Sequence, residues 1–330
     1  MHAPRPRILM ITGRADPGGG PEHLYQLAQA VGRDCEVFIA TPNEAPYWDR
    51  YHQLVGSARI FEIPHRRLSW TILRQLAAWC RLNQIDLVHS HGRAAGAYSR
   101  LLARSKNRPC LHTAHGSLQL KSVRDFVYLF AEVALARRTD HFIAVSNSEA
   151  GQLRRRLLAG DRLTVIPNGV PLPPTPVSPG NLQRTPLRII HITRFVPQKN
   201  SHMVLEILTC LRKQGALERF HVDFLGDGPE RADLESQAHF LGLTGSMTFH
   251  GAQSSVTPFL TQGFCLLTTS RWEGMPLAVL EALAHGLPVV ASNTPGNNDV
   301  VGPDLGCLFP VNDPATAANE LIRLSADAPT

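Results

Sequence analysis

The chain has 330 residues, of which 43% are hydrophobic and 18% are charged, and its formal net charge is +6. A chain of this length can bury two hydrophobic cores, so two domains are expected. No apolar run approaches the roughly 18 residues that a membrane-spanning helix needs. The composition therefore argues against an integral membrane protein.

The cysteines and the first residues indicate the compartment. The six cysteines are dispersed and include no Cys-x-x-Cys pair, so we expect them to be reduced. Residues 1–7 lead directly into a predicted strand and lack the apolar core of a signal peptide. We therefore predict a cytoplasmic protein.

The excess of positive charge indicates anionic partners. Nucleotide diphosphates, anionic lipid headgroups and nucleic acid would all satisfy it. Only the net charge favours nucleic acid as a partner, because the basic residues are scattered and lack interleaved aromatic side chains on which bases could stack. We therefore expect no nucleic-acid partner.

Strand and helix patterns alternate through the first half of the chain. Such alternation is typical of a parallel sheet with helices on both faces. The predicted strands begin near Ile8, Glu36, Arg59, Leu87, Leu111, Phe142 and Thr164. Residues 1–172 are therefore predicted to form one Rossmann-like domain.

Five prolines between Pro171 and Gly180 interrupt this alternation. Proline cannot continue a helix or a central strand, so residues 173–186 are predicted to be a linker. The alternation resumes in residues 187–330, where strands are predicted at 187–193, 222–225, 247–250, 264–268 and 289–292. The predicted fold class is α/β, with two doubly wound domains that face one another across a cleft. In such sheets, ligands bind beyond the carboxyl ends of the strands.

Residues 270–292 carry a strong chemical signal. Pro276 stands where the first turn of a helix tolerates proline, and Gly286 stands where a left-handed cap ends one, which predicts a helix from Pro276 to His285. Glu281 then lies among apolar residues, where a carboxylate needs compensating donors. Both a bound hydroxyl-rich ligand and a structural salt bridge would provide them.

The start of this helix is a predicted anion site. The N–H groups at a helix start point outward, and the helix dipole favours negative charge there. The residues that supply these groups are Gly274, Met275 and Leu277. A phosphate binder and a hydroxyl binder, Glu281, are therefore predicted about one helical turn apart.

The residues around Glu273 and Glu281 resemble the Glu-x7-Glu signature of the family 4 glycosyltransferases. The matching sequence is Glu-Gly-Met-Pro at 273–276 and Leu-Glu-Ala-Leu-Ala-His-Gly-Leu-Pro-Val-Val-Ala-Ser at 280–292. Other landmarks of that family occur in the same order, at residues 7–13, 18–23, 86–91, 111–116, 142–146, 165–170, 194–200 and 225–229. The resemblance covers nearly the whole chain and implies the GT-B fold.

The resemblance implies a role for each landmark side chain. Glu281 would accept hydrogen bonds from ribose hydroxyls, and Glu273 from hydroxyls of the transferred sugar. Arg194 and Lys199 would hold the diphosphate, and His115 would approach the sugar from the first domain. The alternatives are a solvated basic turn for the two cations and a structural role for the histidine.

Backbone groups and small residues complete the implied donor site. Gly19 and Gly20 would let N–H groups approach the donor without a Cβ in the way; alternatively, they belong to an ordinary loop. The other implied donor-binding residues are Gly226, His250, Gly274, Met275, Pro276 and Leu277. Asp227 is expected to be a turn residue.

The implied activity is that of a retaining, metal-independent hexosyltransferase. It would move a sugar from a UDP- or GDP-linked donor to a glycan or lipid-linked acceptor, in bacterial surface polysaccharide or lipopolysaccharide assembly, without a cofactor. The chain contains no Asp-x-Asp, the motif by which the other large glycosyltransferase fold holds a divalent cation. Two alternatives are a catalytically silent subunit that supports a partner transferase and a nucleotide-sugar epimerase.

No metal site is predicted among the histidines. We expect His89 and His91, which alternate along a strand, to face opposite sides and so not to ligate one metal together. On this expectation, at least one of them is an ordinary core residue.

Two segments are candidates for peripheral membrane contact. Residues 66–81 predict a basic amphipathic helix, a type that can lie in the headgroup region of anionic bilayers. Its apolar stripe is Leu68, Ile72, Leu76 and Trp79, and its basic stripe is Arg67, Arg74 and Arg81. We favour the alternative that this helix covers the first sheet. The second segment, 121–138, carries Phe126, Tyr128, Leu129 and Phe130.

Overall fold

The computed structural model describes residues 4–104, 108–116, 123–156, 158–173 and 185–326. The chain divides into two compact units, which we call unit 1 (Met1–Asn168) and unit 2 (Gly169–Thr330). Of the predicted linker 173–186, residues 174–184 lie outside the described part of the chain.

Within the described part of unit 1, seven strands form one parallel sheet in the order β3-β2-β1-β4-β5-β6-β7. The strands are β1 (Arg7–Thr12), β2 (Glu36–Thr41), β3 (Ile60–Glu62), β4 (Leu87–His91), β5 (Cys110–Thr113), β6 (His141–Ala144) and β7 (Leu163–Val165). The helices are α1 (Gly19–Val31), α2 (Tyr47–Val55), α3 (Trp70–Leu82), α4 (Arg93–Arg104), α5 (Val123–Ala136) and α6 (Asn147–Arg155).

The described residues of unit 2 form a six-stranded parallel sheet in the order β10-β9-β8-β11-β12-β13. The strands are β8 (Leu187–Ile192), β9 (Phe220–Leu225), β10 (Met247–Gly251), β11 (Cys265–Thr268), β12 (Val289–Ser292) and β13 (Gly306–Phe309). The helices are α7 (His202–Lys213), α8 (Arg231–Phe240), α9 (Thr257–Leu260), α10 (Leu277–Ala284), α11 (Pro295–Asn298) and α12 (Pro314–Ala326).

The two doubly wound parallel sheets confirm the predicted α/β class. Each predicted strand is present, with its start shifted by no more than two residues. The edge strand β13 was not predicted. Both sheets reverse their strand order once, between β1 and β4 in unit 1 and between β8 and β11 in unit 2. These switch points are where ligands of such sheets bind.

The central strand β1 is buried on both faces. Leu9 and Ile11 pack in one core cluster, and Met10 packs in another cluster with Ile39 of β2. Full burial of each such side chain stabilises the fold by about 1.5–3 kcal/mol. This explains why β1 is a continuous apolar run, as parallel strands covered on both faces usually are.

Helix α3 covers the sheet of unit 1. Leu76 and Cys80 are fully buried in the core, and the Trp79 ring lies 5.6 Å from the Phe38 ring. Leu68, predicted to lie on the apolar stripe, precedes the helix and is 39% exposed. The favoured alternative is therefore confirmed, because the apolar side of α3 is occupied by the core.

Among the described residues, no helix has both the length and the hydropathy needed to cross a bilayer.

Gly226, which follows β9, is required by a close backbone approach. A Cβ at this position would lie 1.7 Å from the Thr193 carbonyl oxygen, and the φ angle of Gly226 is +133°. We expect Gly226→Ala to lower the free energy of unfolding by about 2 kcal/mol or more, since both strain and overlap must be relieved. Urea denaturation measures the loss.

Gly245→Ala is the matched control in the same unit. A Cβ there would meet no atom within 4 Å, so stability should change little. Equal stability of the two variants would contradict the requirement for glycine at 226.

Candidate functional site

In unit 2, the loop after β8 is bound to the loop after β11. The Thr269 hydroxyl donates to the carbonyl oxygens of Lys199 and Asn200, both at 3.0 Å. The Gln198 side-chain amide donates to the Trp272 carbonyl oxygen at 2.9 Å. These bonds fix the two loops that carry the predicted diphosphate and sugar binders.

The Lys199 ammonium and the Glu273 carboxylate form an ion pair, with 2.5 Å between Nζ and Oε1. Glu273 is 8% exposed, so its charge needs a partner to be retained. This pair brings together two side chains that the family resemblance predicts to bind the nucleotide-sugar donor. A role of Glu273 in binding the sugar donor stays a prediction.

Helix α10 begins and ends where its sequence indicates. Pro276 is its N-cap, His285 is its C-cap, and Gly286 adopts a φ of +72°. Glu281 lies in the second turn of α10 and is half-buried, rather than enclosed by apolar neighbours as predicted. Its carboxylate therefore keeps part of its access to solvent and ligand.

The turn after β9 lies against the start of the Arg194 loop. Phe195 donates its N–H to the Asp227 carbonyl oxygen at 3.1 Å. The Asp227 carboxylate accepts from Gly228 N–H at 2.8 Å and pairs with Arg231 at 3.3 Å. Asp227 is thus a turn residue, as expected, and Arg194 is held beside it half-buried.

The His250 side chain, predicted to bind donor, already contacts a buried carboxylate. Its Nε2 lies 2.7 Å from Asp223 Oδ1, and the Arg188 guanidinium binds the same carboxylate. Asp223 is fully buried. This interaction fixes the imidazole, and the donor contact predicted at His250 is not tested by it.

Unit 1 contains a histidine cluster at the carboxyl ends of β4 and β5. His91 Nδ1 lies 3.0 Å from His115 Nε2, and the ring centroids of His89 and His91 are 4.2 Å apart. The prediction that His89 and His91 face opposite sides is therefore wrong. Residues two apart along a strand share a face, so the alternation should have placed both rings together.

His23, on the first turns of α1, was not predicted to be a site residue. Its ring centroid lies 4.5 Å from that of His115. Within the described residues, ring nitrogens of His23, His91 and His115 lie within 4.8 Å of one another, near enough to be tested as cation ligands. The only sequence signal was its place just after the glycine-rich loop.

His115 is held in an uncommon conformation. Its φ angle is +53°, in the left-handed region that non-glycine residues seldom adopt, and Gly116 follows with φ +115°. The Gly116 N–H donates to Glu149 Oε1 at 2.6 Å, which fixes the turn. Backbone strain of this kind is concentrated at functional sites.

The glycine-rich loop opens α1, which begins at Gly19. A Cβ on Gly20 would meet no atom within 4 Å. Packing within unit 1 therefore does not require glycine at this position. The opening left there is compatible with the predicted approach of a ligand to the backbone.

Two protein-family models match the chain. The model described as Glycosyltransferase Family 4 matches residues 17–172, and the model described as Glycosyl transferases group 1 matches residues 178–330. Together they span both units.

The curated relatives include two proteins of Escherichia coli. The chain is 28% identical over 297 residues to the UDP-Gal:alpha-D-GlcNAc-diphosphoundecaprenol alpha-1,3-galactosyltransferase of Escherichia coli, a match covering 83% of this chain and 76% of that protein. It is 30% identical over 200 residues to the putative colanic acid biosynthesis glycosyltransferase WcaL of Escherichia coli strain K12, covering 58% of this chain and 49% of that protein.

Among solved structures, HepE of Anabaena in complex with UDP and glucose aligns with a TM-score of 0.81 at 18% identity. The alignment covers 97% of this chain and 89% of that one. At this identity, the likeness establishes the fold, and it confirms the predicted GT-B class.

The buried histidines of unit 1 should make the protein acid-sensitive. Burial lowers the pKa of His89 to about 3, and it lowers the pKa of His91, His112 and His115 well below their ordinary value. Their unfolded pKa is about 6.5, so below that pH the unfolded chain binds more protons than the folded one. Stability should be constant from pH 8 to 7 and fall towards pH 4, by about 1.4 kcal/mol per pH unit for each such histidine.

Urea denaturation at successive pH values measures this slope. In His89→Gln, the amide can keep the bond to Thr113 Oγ1, which His89 makes at 2.9 Å, while one titrating group is removed. The slope of the free energy of unfolding against pH should be smaller in this variant, by about the 1.4 kcal/mol per pH unit that one proton contributes. Equal stability of the wild type at pH 7 and pH 5 would contradict the assignment.

Proposed function

Because the chain belongs to family 4 of the glycosyltransferases, we propose that it is a retaining, metal-independent enzyme. It transfers a hexose from a nucleoside diphosphate to a glycan or lipid-linked acceptor. The observation that carries the proposal is the Lys199–Glu273 ion pair, 2.5 Å long, on two cross-linked loops at the carboxyl edge of the unit 2 sheet. A buried carboxylate and a cation in contact can serve a hydroxyl and a phosphate of one ligand.

In this proposal, each donor group has its own binder. Glu281 on α10 accepts hydrogen bonds from the ribose hydroxyls, and Glu273 accepts them from the transferred sugar. Arg194 and Lys199 hold the diphosphate and stabilise the charge that develops as the sugar–phosphate bond breaks. A well-placed hydrogen-bond donor of this kind lowers an activation barrier by about 3 to 4 kcal/mol. His115 contacts the transferred sugar.

Retention follows from the side of attack. The bond from the anomeric carbon to the phosphate oxygen breaks, and the bond to the acceptor oxygen forms on the same face of the sugar. The acceptor proton passes to the leaving phosphate, so no enzymatic base is required. Arg194 and Lys199 supply the positive charge that a divalent cation supplies in enzymes with an Asp-x-Asp motif, which this sequence lacks.

The acceptor is proposed to be lipid-linked, in bacterial surface polysaccharide assembly. The Escherichia coli relative at 28% identity is named for transfer to a diphosphoundecaprenol-linked sugar. WcaL, a second relative, is named for colanic acid biosynthesis. The lipid-linked acceptor in the first name supports action at the cytoplasmic membrane face.

Helix α5 provides the surface for membrane contact in this proposal. Phe126, Val127 and Phe130 are 59%, 63% and 78% exposed, so its outward face is apolar. Exposed Arg137 and half-buried Arg138 follow its C-terminal end. Apolar side chains beside arginines are typical of helices that lie in an anionic bilayer surface.

Donor binding is tested by thermal shift with UDP- and GDP-linked sugars in the presence of EDTA. A ligand at about 100 times its dissociation constant should stabilise the wild type by roughly 2.7 kcal/mol. Glu281→Ala should lose the shift, because the ribose hydroxyls lose the carboxylate that accepts their hydrogen bonds. Glu206→Ala, an exposed residue of α7, should keep it.

Absence of a shift with every nucleotide sugar would contradict the donor assignment. A shift without turnover across acceptors would favour the silent subunit instead, and conversion of the donor sugar without transfer would favour the epimerase. The anomeric configuration of a transfer product, read by NMR, tests retention.

Membrane contact is tested by sedimentation with vesicles of phosphatidylglycerol or phosphatidylcholine. Binding to the anionic vesicles should fall at least about tenfold in a double variant, Phe126→Asp with Phe130→Asp, because two apolar anchors are lost. Phe240→Asp is the matched control, since Phe240 on α8 is 89% exposed in unit 2. Equal loss in the control would exclude α5 as the specific contact.

A further inference from the structure

Three elements of unit 1 bring three imidazole rings together, and we call this group the three-histidine site. His23 lies on the first turns of α1, His91 is the last residue of β4, and His115 lies in the turn after β5. Strand β4 pairs in parallel with β1 on one side and with β5 on the other, so the chain leaves all three strands at one edge of the sheet. The expectation of no metal site among the histidines concerned His89 and His91, a different pair from the group that the fold assembles.

The ring nitrogens of the three-histidine site are spaced like the ligands of one small cation. His91 Nδ1 and His115 Nε2 are 3.0 Å apart. One ring nitrogen from each of the three residues lies within 4.8 Å of the other two. Two imidazole nitrogens bound to one tetrahedral Zn²⁺ are about 3.3 Å apart, so the rings need to shift by about 1.5 Å or less to reach that separation.

The backbone that carries the site is held in place before any ligand binds. His91 belongs to a strand that is paired on both sides. The turn of His115, whose φ angle is +53°, is fixed by the hydrogen bond from Gly116 N–H to Glu149 Oε1 at 2.6 Å. Glu149 is buried, and its Oε2 accepts a second N–H from Val145 at 2.8 Å. Binding of a cation here would therefore require little ordering of the chain.

The site is closed on one side and accessible on the other. His91 is 4% exposed, whereas His23 and His115 are half-buried. A cation can therefore enter between His23 and His115. Three protein nitrogens leave one position of a tetrahedral cation for water or another ligand, and this position would lie on the accessible side.

The donor set selects the class of cation. Imidazole nitrogens suit Zn²⁺ and the neighbouring transition metals, whereas Mg²⁺ and Ca²⁺ prefer oxygen ligands. The metal binds the neutral form of the ring, and a histidine with an ordinary pKa of about 6.5 is already mostly neutral at about pH 7.5. Metal binding at this site is thus expected under the conditions in which the protein is stable.

We propose that His23, His91 and His115 form a site for a divalent transition-metal cation of the zinc class. The cation takes no part in the sugar transfer proposed above. It occupies a lone pair of His115, the residue proposed to contact the transferred sugar, and so inhibits transfer. The inhibition rests on the proposed function, whereas the binding does not.

The first test measures binding without catalysis. Zn²⁺ is titrated by calorimetry into the full chain after metal has been removed with EDTA and the EDTA has been dialysed away. We expect one tight site that Mg²⁺ does not occupy, and Co²⁺ in its place should give the intense visible absorption of tetrahedral coordination. In His23→Gln, the dissociation constant for Zn²⁺ should rise at least about a hundredfold, since losing a residue that merely orients a metal ligand already costs about 10- to 100-fold.

A second variant and a control complete the binding test. His115→Asn should weaken Zn²⁺ binding to a similar extent, and asparagine tolerates the left-handed backbone conformation at this position. His239→Gln removes an exposed histidine of α8 in unit 2 and should bind as the wild type does. An unchanged dissociation constant in the first two variants, an equal rise in His239→Gln, or an octahedral Co²⁺ spectrum would overturn the proposal.

The second test measures inhibition of sugar transfer. The initial rate of each protein at increasing Zn²⁺ is divided by its own rate in EDTA. The wild type should reach half of its rate near the dissociation constant from calorimetry, and His23→Gln should need at least about tenfold more Zn²⁺. Mg²⁺ at the same concentrations should leave both rates unchanged.

The two tests separate failure of the site from failure of the proposed function. If Zn²⁺ binds through the three histidines but no nucleotide sugar supports transfer, the metal site stands and the proposed function fails. Inhibition that is equal in the wild type and His23→Gln would overturn the inhibitory role. Tight binding in an active wild type without inhibition would do the same, because His115 would then not be withdrawn from the sugar.

Discussion

The parallel direction of the strands in both sheets is the constraint from which the sites follow. Because parallel strands all end at one edge, the loops that leave them meet there whatever their separation in the chain. The loops of Lys199 and Glu273 leave β8 and β11, which are neighbours in the sheet. Likewise, the histidines of β4 and the turn of His115 leave adjacent strands. Each unit therefore gathers its polar groups without any local sequence signal that joins them.

The Lys199–Glu273 site and the histidine cluster differ in how their buried polar groups are stabilised. In unit 2, charge is retained and paired: Lys199 with Glu273, and Arg188 with Asp223. In unit 1, the histidines are kept neutral, because burial lowers the pKa of His91 and His115 well below the ordinary value. Neutral imidazoles can donate and accept hydrogen bonds without strong electrostatic attraction. The first arrangement suits a phosphate-bearing ligand and the second suits sugar hydroxyls.

Local sequence signals predicted the elements well. Proline and glycine punctuation placed the helix containing Glu281 to within one residue at each end, because caps depend on neighbouring residues only. The edge strand β13 was missed, since it is four residues long and begins with glycine. The prediction that His89 and His91 face opposite sides was wrong, because strand geometry places residues two apart on one face. The contact of His23 with His115 could not be predicted, because α1 and the end of β5 bring together residues that are distant in the chain.

The exposed aromatic face of α5 has a consequence for the protein in water. Phe126, Val127, Tyr128 and Phe130 together form a cluster of exposed apolar side chains on one short helix. In water, such a cluster attracts the same cluster on another copy, while the net charge of +6 opposes that approach. The colloidal behaviour of the protein then depends on ionic strength. Added salt screens the repulsion between copies but leaves the apolar attraction in place.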